Sequence, residues 1–99
     1  MDERVKRKIS VVLDKMIGTR AAYIFDESMK LKAKIPLTEF NENNENLKQA
    51  KIVVLDGIIT DEIVSAAEAC NVNIIVGSKT KKKYKTNFLT IYSKEDLET

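Results

Sequence analysis

Between Lys51 and Gly77 the chain reads KIVVLDGIITDEIVSAAEACNVNIIVG, and no other stretch constrains the fold as tightly. A continuous apolar run, Ile52-Val53-Val54-Leu55, ends at Asp56-Gly57. A helical pattern occupies about Thr60 to Asn71, and a second run, Ile74-Ile75-Val76, ends at Gly77. Two β-branched runs around one helix, all within 27 residues, predict a strand–helix–strand unit with parallel strands and a right-handed crossover. Neither run alternates with polar residues, so both strands are expected to be covered on both faces. The flanking segments must supply the covering layers.

Before that unit, Val5, Ile9, Val12, Leu13 and Met16 recur at helical spacing and predict a helix over residues 2–17, with Gly18 as its stop. Thr19–Asp26 reads as a strand and Asp26-Glu27-Ser28 as a turn. In Lys30–Ile35 lysines alternate with apolar residues, which suits an exposed edge strand closed by Pro36. The two strands predict a hairpin. The asparagine-rich segment 41–46 is expected to be irregular or a frayed helix, anchored by Phe40 and Leu47. After the central unit, Phe88–Tyr92 reads as a fifth strand and Ser93–Leu97 as a capped helical turn. The expected fold is one α/β domain over residues 1–99. It is a small mixed, mostly parallel five-stranded sheet flanked by helices, resembling half of a Rossmann fold; ten residues before the last strand can cross or return, so it can pair either way, with parallel the preferred reading.

The composition excludes several chemistries. There is no histidine, hence no histidine triad or imidazole metal site, and one cysteine, Cys70, which excludes an intrachain disulfide. Cys70 is expected to be a buried small hydrophobe. No apolar run is long enough to span a membrane, and the lone cysteine suits a reducing, cytoplasmic setting. Net charge is +2, with residues 1–20 and 78–99 each at +3 and residues 51–77 at −3.

Two groups of residues could carry function. In sheets with parallel strands, ligands gather beyond the carboxyl ends of the strands. There Asp56, Gly57 and Thr60 follow one strand, and Gly77, Ser78 and Lys79 the next. A phosphate or metal-bound phosphate is one reading of that cleft. Turn and capping chemistry accounts for each residue without a ligand. No glycine-rich phosphate loop and no set of carboxylates for two-metal catalysis is present. The second group is Lys79, Lys81, Lys82, Lys83, Tyr84 and Lys85. Lysines neutralise phosphates and a tyrosine can stack on a base, while a solvated loop is the plainer reading. The basic side of the first helix, Arg4, Lys6, Arg7, Lys8 and Lys15, reads as a solvated outer face or as a surface for nucleic acid or an acidic partner.

The run VVLDGIITDEIVSAAEACNVNIIVG resembles the C-terminal region of archaeal DnaG-like primases, where D-G-x-I-T opens a helix and an apolar run ends in V-G. GTRAAYIFDESMKLKAKIPLTEF and LTIYSKEDL extend the resemblance over about residues 9–97. It implies a C-terminal module of a longer protein whose Toprim domain holds the catalytic carboxylates and uses magnesium. It carries no catalytic residue and no cofactor onto these positions. The implied partners are the primase's other domains, RNA or DNA, and subunits of the RNA exosome, with no membrane. A free-standing nucleic-acid-binding protein, or a small metal-dependent phosphoryl-transfer enzyme using Asp56, is the alternative.

Overall fold

A computed structural model describes residues 2–98 and shows a five-stranded mixed sheet between two layers. In chain order the regular elements are helix α1 (Glu3–Lys15), strands β1 (Ala21–Phe25), β2 (Leu31–Pro36), β3 (Ile52–Leu55) and β4 (Ile58–Ile59), helix α2 (Asp61–Ala69), strands β5 (Ile74–Gly77), β6 (Lys79–Thr80) and β7 (Thr90–Ser93), and helix α3 (Lys94–Leu97). The sheet order is β2-β1-β3-β5-β7, and β4 and β6 form a separate two-stranded ribbon. β3 pairs with β5 and β5 with β7 in parallel, while β1 runs antiparallel to both its neighbours. Four of the five strands therefore point the same way. The expected α/β sheet, its central parallel pair and its parallel last strand are all present.

β3 and β5 hold the centre because alternate residues on each feed opposite cores. Val53, Leu55 and Ile75 join the core under α2, with Ile24, Leu47, Ala67 and Val72. Ile52, Val54 and Val76 join the core under α1 and α3, with Ile9, Leu13, Met16 and Leu97. Val53, Val54, Leu55, Ile75 and Val76 are all 0% exposed. Burying five such side chains is worth on the order of 10 kcal/mol, comparable to the whole net stability of a small domain. The period-two pattern is present in the sequence, but both phases are apolar, which is the signature of a strand with two buried faces.

The covering layers follow from local chemistry. Asp2 caps α1 by accepting the Arg4 N–H at 2.7 Å, and Thr60 caps α2 by accepting the Ile63 N–H at 3.4 Å. Ser93 and Asp96 form a reciprocal capping box at the start of α3. Asp26 organises the β1–β2 turn: its Oδ1 accepts from the Ser28 and Lys30 amides at 2.9 and 3.0 Å. The Lys30 amide, then that of Ser28 and the nearby Lys32 and Lys30 ammonium groups, hold this carboxyl below the usual carboxylate range. The asparagine-rich segment is an irregular link between two 3-10 turns, Leu37–Glu39 and Glu45–Gln49, with Asn41 and Asn44 side chains accepting from amides two residues on. Phe40 and Leu47 are both buried as its anchors.

Most element ends shift by a residue or two from expectation, and three of the shifts have a local cause. The first strand starts at Ala21 rather than Thr19, because Gly18 and Arg20 both adopt positive φ in a tight connection from α1. Pro36 is the last residue of β2 rather than a stop before it, and an edge strand tolerates the missing N–H. The last strand begins at Thr90, leaving Phe88 outside it.

Gly77 ends β5 where the chain passes under β4. A Cβ there would lie 2.6 Å from Ile59 Cγ1 and 3.1 Å from the Gly57 carbonyl oxygen. Ile59 is fully buried and cannot retreat. Gly77→Ala is expected to cost about 1–3 kcal/mol, read as a lower urea midpoint with an unchanged slope. An unaltered midpoint would mean that this approach is looser than described.

Candidate nucleic-acid interface

The strand ends do not form a simple open crevice. β3 pairs with β5 with a sequence offset of 22 (Val54 with Val76), and β4 pairs with β6 with an offset of 21 (Ile58 with Lys79). The β3 side therefore carries one extra residue, and Asp56-Gly57 absorbs it as a bulge-like kink. The Ser78 amide donates to the Gly57 carbonyl at 2.9 Å and bridges the two paired regions. The β4–β6 ribbon so extends the central pair beyond its expected end. The apolar pair Ile58-Ile59 is a signal for it, but two residues are too few for periodicity to register.

This places the cleft candidates in different surroundings. One oxygen of Asp56, Oδ2, accepts the Gly18 N–H at 2.8 Å and the Arg20 N–H at 3.0 Å. It thereby holds the left-handed turn between α1 and β1. Gly57 lies against Leu37, whose Cδ1 is 2.9 Å from where a Cβ would be. Thr60 caps α2. Ser78, with its neighbour Lys79, lines the hollow beyond the ends of β5 and β7. That hollow is a groove of about 430 Å³ shared with Ser93, Lys94, Glu95 and Glu98. Among the described residues, no group of three or more Cys, Asp or Glu side chains is placed to hold a metal ion.

The lysine candidates sit on the connection from β5 to β7. Parallel neighbours need a crossover of about a dozen residues. Residues 78–89 provide one without a helix, so the chain lies stretched along the surface. It is tied down at a few points. The Lys81 amide donates to the Ile59 carbonyl at 3.1 Å, and the Thr86 hydroxyl donates to the Leu89 carbonyl. Leu89 is buried and Tyr84 packs against the α2 core. Lys79, Lys81, Lys82, Lys83 and Lys85 are all exposed. Lys82 is the engaged one: its Nζ lies 3.4 Å from Asp61 Oδ1 and 5.4 Å from the centre of the Tyr84 ring.

Tyr84 is thus an anchor with a half-buried ring. Its hydroxyl is buried beside Asp61 without a hydrogen bond of regular geometry. The Tyr84 hydroxyl and then the Lys82 and Lys81 charges hold the Asp61 carboxyl below the usual range, against a smaller opposing effect of its own desolvation. Burial, then the Asp61 carboxylate, pushes the Tyr84 phenol above its usual range. The exposed aromatic of this region is instead Phe88, 83% exposed. It stands beside a small hollow with Glu68, Asn71, Val72 and Asn87. The apolar run from Phe88 to Tyr92 predicts Phe88 inside a strand. The turn-forming pair Thr86-Asn87 just before it is the available sign that the strand starts later. A second groove of about 520 Å³ has Lys82, Lys83 and Tyr84 on one side and Glu95 and Asp96 on the other. Cys70 is buried, and desolvation pushes its thiol up, away from reactivity.

No family model and no solved structure matches this chain. Curated relatives do. DNA primase DnaG of Methanopyrus kandleri is 34% identical over 74 residues, which is 75% of this chain and 18% of that protein. DNA primase DnaG of Thermofilum pendens is 32% identical over 65 residues, 66% of this chain and 15% of that protein. The Metallosphaera sedula DnaG is 29% identical over 85 residues, 80% of this chain and 21% of that protein. The class is therefore a primase-related α/β domain. Within it, this chain is related to archaeal DnaG primases, and it spans about a fifth or less of the length of the relatives it matches.

Asp56→Ala is expected to lower the unfolding free energy by about 1–3 kcal/mol, because two amides lose their shared acceptor. Urea unfolding followed by circular dichroism measures it. Unchanged stability would show that the carboxylate is not what holds the α1–β1 turn.

Proposed function

We propose that this domain is a non-catalytic C-terminal module of an archaeal DnaG-type primase, and that it contacts single-stranded nucleic acid through the lysine-rich crossover. The observation that carries the contact is the way this crossover is mounted. Tyr84 and Leu89 fix it to the core under α2 while five lysines stay exposed. A charged strand held at fixed points loses less freedom on binding phosphates than a loose tail. Lys81, Lys83 and Lys85 have no ion pair among the described residues, so they can meet phosphates without giving up a partner. Phe88 adds an exposed ring close to this segment, suited to stacking on a base.

The non-catalytic part of the reading rests on Asp56. A metal-holding or nucleophile-activating carboxylate needs free lone pairs aimed at a ligand. Here the two amides of the α1–β1 turn occupy one oxygen, and among the described residues Asp56 is part of no group of three or more Cys, Asp or Glu side chains placed to hold a metal ion. On this reading magnesium-dependent primer synthesis belongs to a Toprim domain elsewhere in the parent protein. The parent's other domains and exosome subunits are the protein partners, and the cytoplasm is the setting. The free-standing phosphoryl-transfer enzyme has no observation of comparable weight behind it.

Replacing Lys81, Lys83 and Lys85 by alanine is expected to weaken binding of a single-stranded RNA oligomer. The log–log dependence of affinity on salt should flatten by up to about 0.7 for each phosphate that is no longer neutralised. Fluorescence anisotropy across a salt series gives both quantities. A wild-type slope in the triple variant would remove the crossover from the interface.

A further inference from the structure

On one face of the sheet the cover is incomplete. α1 and α3 lie over β3, β5 and β7 and bury Phe25 at the end of β1, and among the described residues no further helix continues that cover across the β1–β2 hairpin. The gap shows as a groove of about 360 Å³ between α1 and the β1–β2 hairpin, lined by Arg7, Lys8, Val11, Val12, Phe25 and Met29. Val11 is 52% exposed, and Leu31, paired in register with Phe25, is 42% exposed. Val11 lies off the stripe that α1 turns toward its own core, so intramolecular packing does not explain an apolar residue there.

The surroundings of the groove are basic. Arg7 and Lys8 stand on its α1 wall. Lys30, Lys32 and Lys34 lie on the hairpin, with Lys34 Nζ 4.8 Å from the centre of the Tyr23 ring. Of the nearby carboxylates, Asp14 is paired with Lys94 at 3.5 Å and Asp26 with Lys32 at 3.8 Å. Glu3 and Glu27 are the remaining acids on these elements. Arg7, Lys8, Lys30 and Lys34 have no ion pair among the described residues. An apolar floor with cationic walls complements an apolar stripe with anionic flanks.

We propose that this groove docks an acidic amphipathic helix of a partner protein. The helix would lie beside α1 over β1 and β2, completing the layer. Val11, Val12 and Met29 would receive its apolar stripe, and Arg7, Lys8 and Lys34 its carboxylates. Strand addition at the β2 edge is disfavoured, because lysines and Pro36 blunt that edge. The site is distinct from the lysine crossover, which leaves β5 on the opposite side of the sheet with Tyr84 in the other core.

The probe is a fluorescein-labelled synthetic helix of about 18 residues, five turns long, with a leucine stripe flanked by glutamates. A lysine-flanked counterpart serves as control. Anisotropy with the 99-residue chain is expected to show saturable binding of the acidic helix alone. Val11→Asp and the pair Arg7→Glu with Lys8→Glu should each weaken it at least about tenfold. The alanine variant of Lys81, Lys83 and Lys85 should bind like the wild type. Val11 is half exposed, so Val11→Asp should fold, and its amide spectrum checks this. No binding of the acidic helix, equal binding of both helices, or wild-type affinity in the Val11 and Arg7/Lys8 variants would overturn the proposal. So would displacement of the helix by single-stranded RNA, which would make the groove a nucleic-acid surface. A dimer abolished by Val11→Asp in sedimentation would give the groove to a second copy instead.

Discussion

The parallel pairing of β3 with β5 is the constraint from which the other parts follow. Its residues are buried on both faces, so the sheet needs a layer on each side. A chain of this length has few elements to spend on two layers. α2 and the two 3-10 turns cover one side, and α1 with the single turn of α3 covers the other. The cover is complete over the middle strands and thin over the β1–β2 hairpin on the α1 side. Function, on this account, lies where the covering elements run out or are replaced by irregular chain.

The same economy explains the lysine crossover. β5 and β7 are parallel, and the usual connection would be another helix. This chain uses a stretched segment pinned by Tyr84 and Leu89. Such a segment cannot fold its side chains away, so its polar residues project outward along a line. Lys82 is partly turned back onto Asp61 and Tyr84, and that contact shapes the segment. The remaining lysines lie in sequence close to the exposed Phe88. The acidic side chains Glu95 and Asp96, across the neighbouring groove, limit how far a polyanion could extend in that direction.

Much of this arrangement is legible in the residues. The two apolar runs, the capped helix between them, the lysine-alternating edge strand and the Ser93–Asp96 cap each carry a local signal that no tertiary contact overrides. The anchors Phe40 and Leu47 are legible because they are large apolar residues in an otherwise polar segment. What the residues do not show depends on contacts distant in sequence. Asp56 looks like a strand-end carboxylate facing ligand. Its partners, the Gly18 and Arg20 amides, are more than thirty positions away. Tyr84 looks like a stacking platform because its neighbours in sequence are lysines, but its neighbours in space are the residues of the α2 core. The β4–β6 ribbon arises from a one-residue difference in register that no single strand records.

Native-state hydrogen exchange tests the central claim most directly. If β3 and β5 are the doubly covered centre, the amides of Val53, Val54, Ile75 and Val76 exchange only through global unfolding. Their opening free energies then equal the stability from denaturant unfolding. Amides of the crossover from Lys82 to Phe88 exchange through local opening at far lower free energies. Exchange in β3 and β5 as fast as at the β2 edge would contradict the account, because the pair would then be a peripheral ribbon and not the element on which both layers are built.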